Sequence, residues 1–171
     1  MNLPNRLTLA RIALIPVFLA MLYWGFPEYA ALAVFILASL TDLLDGHIAR
    51  KYHLITDFGK FADPLADKML VTAAMLWFVE AGSLPAWALA IVLCREFAVS
   101  GLRMVAAEKG RVIAAGWSGK VKTAATMVCV ILMFLPIPPL LNTLCVWVIT
   151  LTTLYSGVEY FLKNGDVLLD K

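Results

Sequence analysis

Six long apolar segments, joined by short polar connections, most limit what this chain can fold into. They cover approximately residues 7–24, 29–44, 63–79, 84–103, 120–135 and 140–161. A helix that crosses a bilayer needs about 20 mostly apolar residues, and these segments approach or reach that length. Hydrophobic residues make up 62% of the 171 residues and charged residues only 15%, far from the averages of soluble domains. The sequence therefore predicts an all-α integral membrane protein with six transmembrane helices.

The positions of the basic residues predict how these helices are oriented. The turns between the first and second, third and fourth, and fifth and sixth segments contain none of the 14 Lys and Arg residues. Because basic residues concentrate on the cytoplasmic side, both termini and the two longer connections are predicted to be cytoplasmic. Residues 1–8 are too polar to cross and are expected to form a short juxtamembrane segment. Six closely linked helices leave no room for a second domain, so we expect one membrane domain over residues 1–171.

Acidic residues concentrate where the second segment ends and the third begins. Asp42 and Asp45 are three residues apart, and Asp63 and Asp67 are four apart, so each pair is expected to share one helix face. The short connection would bring these four carboxylates together, and unpaired charges in or near a bilayer are costly. We therefore predict two bound divalent cations, and all-carboxylate ligation favours Mg²⁺ or Mn²⁺ over zinc. For Asp57, a solvated loop or cap and a role in the site both stay open.

Two glycines and an arginine accompany the aspartates. Gly46 and Gly59 lack side chains and would let a phosphorylated ligand approach the backbone closely. Arg50 follows Gly46 by one helical turn and can hold a phosphate oxygen or a base. Paired metal ions with a nearby Arg are suited to phosphoryl transfer, because the ions stabilise both the attacking and the leaving oxygens.

The spacing of these residues resembles the full signature of the CDP-alcohol phosphotransferase family. The chain reads Asp42-x-x-Asp45-Gly46-x-x-Ala49-Arg50, then eight residues, then Gly59-x-x-x-Asp63-x-x-x-Asp67, with no departure at a fixed position. The resemblance implies a six-helix membrane enzyme, usually a homodimer, that uses two divalent ions to displace CMP from a CDP-linked alcohol.

The same resemblance implies roles for individual residues. Asp42, Asp45 and Asp63 are expected to bind metal, and Asp67 to bind metal and act as the general base. The CDP moiety is expected to contact Gly46, Arg50 and Thr56, together with Asn5 and Thr8, which match the amino-terminal contribution of the family to the nucleotide pocket.

Basic residues of the second long connection bear on the identity of the acceptor, which is the molecule that displaces CMP. Those at predicted helix ends are Arg103, Arg111, Lys120 and Lys122. One explanation is a site for an acceptor phosphate. The other is the ordinary excess of basic residues that anionic headgroups attract, which we prefer for Lys109.

Residues 95–123 also resemble the branch of the family that makes phosphatidylglycerol phosphate. The matching stretches are Arg95-Glu96-Phe97-x-Val99-Ser100-Gly101-Leu102-Arg103 and Gly119-Lys120-x-Lys122-Thr123. The resemblance implies CDP-diacylglycerol as donor and sn-glycerol 3-phosphate as acceptor. It also implies membrane lipids as surroundings, no nucleic-acid partner, and a multi-pass position in a bacterial inner membrane with the active site facing the cytoplasm.

Other functions and other roles stay open at this point. Another acceptor, such as inositol phosphate or serine, is one alternative, and an Asp-rich intramembrane prenyltransferase is a second. A cation-coupled transporter is a third, although the inverted repeats common in transporters are not visible. Arg95 and Glu96 lie deep in the fourth apolar segment, where ionisable residues are usually functional. Arg95 could form a salt bridge that pins the bundle, or could line a polar cavity.

Overall fold

The computed structural model describes the backbone of residues 3–51, 57–114 and 116–168. It describes their side chains except those of residues 3–4, 42–51, 57–61, 63–64 and 67. Over this part the chain is helical. The helices are α1 (Leu3–Tyr23), α2 (Glu28–Lys51), α3 (Asp57–Glu80), α4 (Ala86–Glu108), α5 (Trp117–Met133) and α6 (Pro139–Asn164), followed by a short 3-10 helix (Gly165–Leu168).

Two of the described helices are long and apolar enough to cross a membrane. They cover Asn5–Tyr23, with a mean hydropathy of 1.6, and Pro139–Leu168, with a mean hydropathy of 1.4. An all-helical chain with such helices is consistent with a membrane protein. Six spans and cytoplasmic termini stay predictions.

The helix boundaries differ from the predicted segments at several ends. α1 already begins at Leu3, so the expected juxtamembrane segment is continuous with the first helix from that residue. Pro4 does not prevent this, because proline is well tolerated in the first turn, where its missing N–H has no helical partner. α3 begins at Asp57, before the first apolar residues of the third segment. α4 continues to Glu108 and ends where Gly110 adopts a φ of 73°.

The helices form two compact units, of which the first contains α1, α2 and α3 as far as Phe78. α1 packs on α2 through Phe18 and Phe35, which are both 0% exposed and have ring centroids 6.1 Å apart. Tyr23 at the end of α1 makes an edge-to-face contact with Trp77 of α3, with ring centroids 5.6 Å apart. Aromatic contacts therefore join α1 to both of the other helices in this unit.

The second unit begins at Val79 and contains α4, α5, α6 and the 3-10 helix. α6 packs against both α4 and α5. One buried cluster joins α4 to the end of the chain through Leu102, Ala106, Tyr160 and Val167. The single domain expected over residues 1–171 stays a prediction.

Candidate active site

The four predicted metal ligands lie on two consecutive helices of the first unit. Asp42 and Asp45 belong to α2, and Asp63 and Asp67 belong to α3. A helical backbone is what the three- and four-residue spacings require for a shared face. Their side chains lie outside the described residues, so the ligation of metal stays a prediction.

Residues predicted to contact the CDP moiety come from two helices and the connection between α2 and α3. Gly46 and Arg50 lie in the last turns of α2, and Thr56 lies outside the described residues. Asn5 and Thr8 lie at the start of α1 and are 8% and 0% exposed. Two polar side chains buried one turn apart must be hydrogen-bonded or face a ligand, which is compatible with the predicted role.

Arg11 continues this buried polar row and was missed by the sequence analysis. It lies three residues after Thr8 on the same helix and is only 1% exposed. The available signal was a charged residue inside an apolar segment, which usually marks a functional position. The position of Arg11 in the sequence was not enough to distinguish it from the basic residues that lie at helix ends.

Arg103 and Arg111, two of the predicted acceptor residues, have partners near the end of the chain. The Nε atom of Arg103 on α4 donates to the Oη atom of Tyr160 at 3.0 Å, and its guanidinium carbon lies 5.5 Å from the centre of that ring. Arg111 donates through Nη1 to Oδ2 of Asp166 at 2.5 Å, and both side chains are exposed. These two arginines therefore lie near the same end of α6.

The other two predicted acceptor residues, Lys120 and Lys122, have different surroundings although both belong to α5. Lys120 is exposed. Lys122 has a side chain that is only 7% exposed, and its Nζ atom donates to Oε1 of Glu96 on α4 at 2.6 Å. Residues two apart on a helix do not share a face, and packing of α5 buries only one of the two ammonium groups.

Glu96 also pairs with Arg95, so the buried charges form a connected network. Nη1 of Arg95 lies 3.1 Å from Oε1 of Glu96, and Nη2 of Arg95 donates to Oγ of Ser156 on α6 at 2.6 Å. The side chains of Arg95 and Glu96 are 12% and 16% exposed. The salt bridge that was one of two alternatives for Arg95 is therefore present, and the network ties α4 to α5 and α6.

Two glycines lie beside the Arg95 side chain, and one of them, Gly157, leaves room that a Cβ atom would crowd. A Cβ atom at Gly157 on α6 would lie 3.2 Å from Cγ of Arg95. At Gly119 on α5 it would lie 3.5 Å from Nη2 of Arg95 and 3.9 Å from Oγ of Ser156. A glycine inside a helix weakens it and usually has a packing reason. This packing role of Gly157 was not predicted from the sequence.

A cavity of about 270 Å³ lies beside Arg111 in the second unit. Its lining includes Tyr160, Lys163 and Asn164 of α6, and Glu159, which pairs with Lys163 one helical turn away. Among the four predicted acceptor residues, Arg111 is the one that lines this described cavity. The structure therefore groups Arg103 and Arg111 near Tyr160, and places Lys122 in the separate network with Glu96.

No group of three or more His, Cys, Asp or Glu side chains in the described part is arranged to hold a metal ion. The four predicted carboxylates fall outside that part. The chain combines apolar helices with pairs of aspartates on two consecutive helices and with basic residues on α4 and α5. This combination is typical of a helical membrane enzyme that acts on phosphate esters.

Comparison with known proteins narrows this class to one family. The sequence model of the CDP-alcohol phosphatidyltransferase family matches residues 1–155, and the chain belongs to this family of transferases. Members of the family use divalent cations. The predicted family is therefore confirmed.

Similar curated proteins come from several bacteria. The CDP-diacylglycerol–glycerol-3-phosphate 3-phosphatidyltransferase of Bacillus subtilis is 44% identical, over 98% of this chain and 97% of that protein. A protein of Mycobacterium tuberculosis described as a probable phosphatidylglycerophosphate synthase is 40% identical, over 95% of this chain and 81% of its own length. The CDP-diacylglycerol–glycerol-3-phosphate 3-phosphatidyltransferase of Rickettsia bellii is 37% identical, over 94% of this chain and 93% of that protein.

Proposed function

We propose that this protein transfers the phosphatidyl group of CDP-diacylglycerol to sn-glycerol 3-phosphate, giving phosphatidylglycerol phosphate and CMP. The observation that carries this proposal is the 44% identity to the Bacillus subtilis enzyme, which extends over 98% of the chain. The match spans both the helix pair with the aspartates and the helices α4 and α5, because it covers nearly the whole chain.

Asp42, Asp45, Asp63 and Asp67 would hold two divalent cations, Mg²⁺ or Mn²⁺. The donor set fits these hard ions, because it contains carboxylates and neither Cys nor His. The helical backbone of α2 and α3 at both pairs supports a common face for each pair. When bound, the ions would stabilise negative charge on the attacking and leaving oxygens.

Asp67 is the proposed general base. Its carboxylate accepts the proton of the 1-hydroxyl group of glycerol 3-phosphate, and the oxygen then attacks the β-phosphorus of CDP-diacylglycerol. The new oxygen–phosphorus bond forms as the bond to CMP breaks. The CDP moiety would be held by Gly46, Arg50 and Thr56, with Asn5 and Thr8 at the start of α1. The burial of Asn5 and Thr8 supports their part in this set.

Arg103, Arg111, Lys120 and Lys122 are the proposed ligands of the acceptor phosphate. A phosphorylated acceptor would explain a basic set of this size, whereas serine would not need it. The buried Lys122 supports the proposal most directly, because an ordinary headgroup-attracted lysine would be exposed.

The proposal places the protein in the bacterial inner membrane as a single multi-pass domain whose active site faces the cytoplasm. A homodimer surrounded by membrane lipids is the proposed assembly, with no nucleic-acid partner. The uneven distribution of basic residues supports the orientation.

The test is release of CMP by purified protein supplied with CDP-diacylglycerol and one acceptor at a time. We expect CMP with glycerol 3-phosphate and little with glycerol, serine or inositol phosphate. The Asp67→Asn variant is the control for release that does not depend on the proposed site. Equal release with an acceptor that lacks a phosphate would contradict the proposed acceptor. Ion flux without CMP would favour the transporter.

A further inference from the structure

The buried ammonium group of Lys122 depends on Glu96. A charged group that is 93% buried is stable in an apolar setting only beside an opposite charge, and the carboxylate of Glu96 lies at 2.6 Å. An ammonium group has three donor hydrogens. The described contacts use one of them on Glu96, which leaves two for the oxygen atoms of a substrate.

Glu96 is itself held in place by a second cation. Oε1 of Glu96 accepts from both Lys122 and Arg95, at 2.6 Å and 3.1 Å. Arg95 is in turn fixed to α6 by its 2.6 Å hydrogen bond to Ser156. Because these contacts join three helices, the carboxylate has little freedom to move, and neither does the ammonium group that it holds.

The charge of the network is unbalanced in the direction that favours an anion. Two cations, Arg95 and Lys122, share the single carboxylate of Glu96. Among the described residues, one positive charge is therefore in excess in a largely buried place, where electrostatic interactions are strong. A dianionic phosphate group is the kind of ligand that such an excess would attract.

We infer that Glu96 is a positioning residue that holds the Lys122 ammonium group where it receives the phosphate of the acceptor. This inference rests on the proposed function, because it assumes a phosphorylated acceptor. The competing explanation is that the network only fastens α4, α5 and α6 together. A fastening role would change thermal stability, whereas a positioning role would also change the KM for the acceptor and would act through Lys122.

A double-mutant cycle separates the two explanations. The variants are Lys122→Ala, Glu96→Gln and the double variant, each measured for thermal unfolding and for KM with glycerol 3-phosphate and with CDP-diacylglycerol. Lys122→Ala should raise the KM for glycerol 3-phosphate about tenfold. Glu96→Gln should raise the same KM severalfold, with little effect on the KM for CDP-diacylglycerol.

The double variant carries the decisive comparison. If Glu96 acts through Lys122, its KM should equal that of Lys122→Ala alone, because nothing remains for Glu96 to position. Glu108→Gln is the matched control, since it makes the same chemical change on the same helix at an exposed residue. We expect wild-type KM values from that control. If Glu96→Gln does not fold, Glu96→Asp keeps the charge and is judged by the same comparison.

Three results would overturn the inference. If the increase in KM of the double variant equals the product of the increases in the two single variants, Glu96 does not act through Lys122. A lower melting temperature of Glu96→Gln with a wild-type KM would identify a fastening role. A wild-type KM in Lys122→Ala would remove Lys122 from the acceptor site, yet the proposed function would stand if the wild type still releases CMP with glycerol 3-phosphate. Absence of that release in the wild type would instead overturn the proposed function itself.

Discussion

Replacing Gly157 with alanine tests whether Arg95 is as tightly held as the structure shows. The added Cβ atom would lie 3.2 Å from Cγ of Arg95, which is closer than ordinary van der Waals contact. Arg95 cannot simply swing away, because its guanidinium group is bound to Ser156 at 2.6 Å and to Glu96 at 3.1 Å. Relief of the close contact must therefore lengthen one of these bonds or shift α6.

The expected change in stability is the difference between two opposing effects. Overpacking a tightly packed site typically costs about 1–3 kcal/mol. Alanine in place of glycine inside a helix contributes about 0.5–1 kcal/mol of stability in return. The net loss for Gly157→Ala should be on the order of 1 kcal/mol, which lowers the melting temperature of a chain of this size by about 2–4 °C.

Thermal unfolding of the purified protein in detergent measures this change. Gly119→Ala is the matched control, because its nearest atoms, at 3.5 Å and 3.9 Å, are at ordinary distances. That control should gain the helix contribution and melt at the wild-type temperature or slightly above. The reasoning would be refuted if Gly157→Ala melted no lower than the wild type, or if Gly119→Ala lost as much.

Three further predictions concern the proposed reaction. Exhaustive chelation with EDTA should abolish CMP release, and Mg²⁺ or Mn²⁺ but not Ca²⁺ should restore it, because Ca²⁺ prefers a larger oxygen shell; activity after chelation would contradict a two-metal site. Asp67→Asn should lower kcat by at least about 100-fold while CDP-diacylglycerol still binds in a direct binding assay, and near-normal turnover would remove Asp67 as the base. Arg50→Ala should raise the KM for CDP-diacylglycerol more than the KM for glycerol 3-phosphate, and the opposite pattern would place Arg50 in the acceptor site.

The helices themselves could be predicted well from the sequence, because each coincides with a long apolar segment bounded by Gly, Pro or charge. The boundaries were less accurate where polar residues belong to a helix, as in the first turns of α1, which begins at Leu3, and of α3, which begins at Asp57. The pattern of apolar residues indicates which part of a helix is buried in lipid or protein. It does not indicate whether the polar residues next to that part continue the helix. For this reason, the predicted juxtamembrane segment, residues 1–8, was not recognised as part of the first helix from Leu3 onward.

Individual environments within the basic set could not be predicted in the same way. Lys120 and Lys122 are only two residues apart, yet Lys120 is exposed and Lys122 is paired with Glu96. The partner of Arg95 on α6, Ser156, is 61 residues away along the chain. Which helix faces meet is decided by the packing of three helices, and no local spacing in the sequence encodes that choice.

The internal partners of the basic residues change how selection of the acceptor must be understood. Arg111 is paired with Asp166 and Lys122 with Glu96, so the number of basic residues overstates the positive charge available to a substrate. Arg103 keeps its charge but uses one donor on the neutral hydroxyl group of Tyr160. A phosphate cannot be recognised by summed charge alone when much of that charge is already paired. Recognition then depends on how the remaining donor hydrogens are directed, because fixed donors discriminate between ligands better than mobile charges do. The residues that hold these cations would thus determine acceptor selectivity as much as the cations themselves.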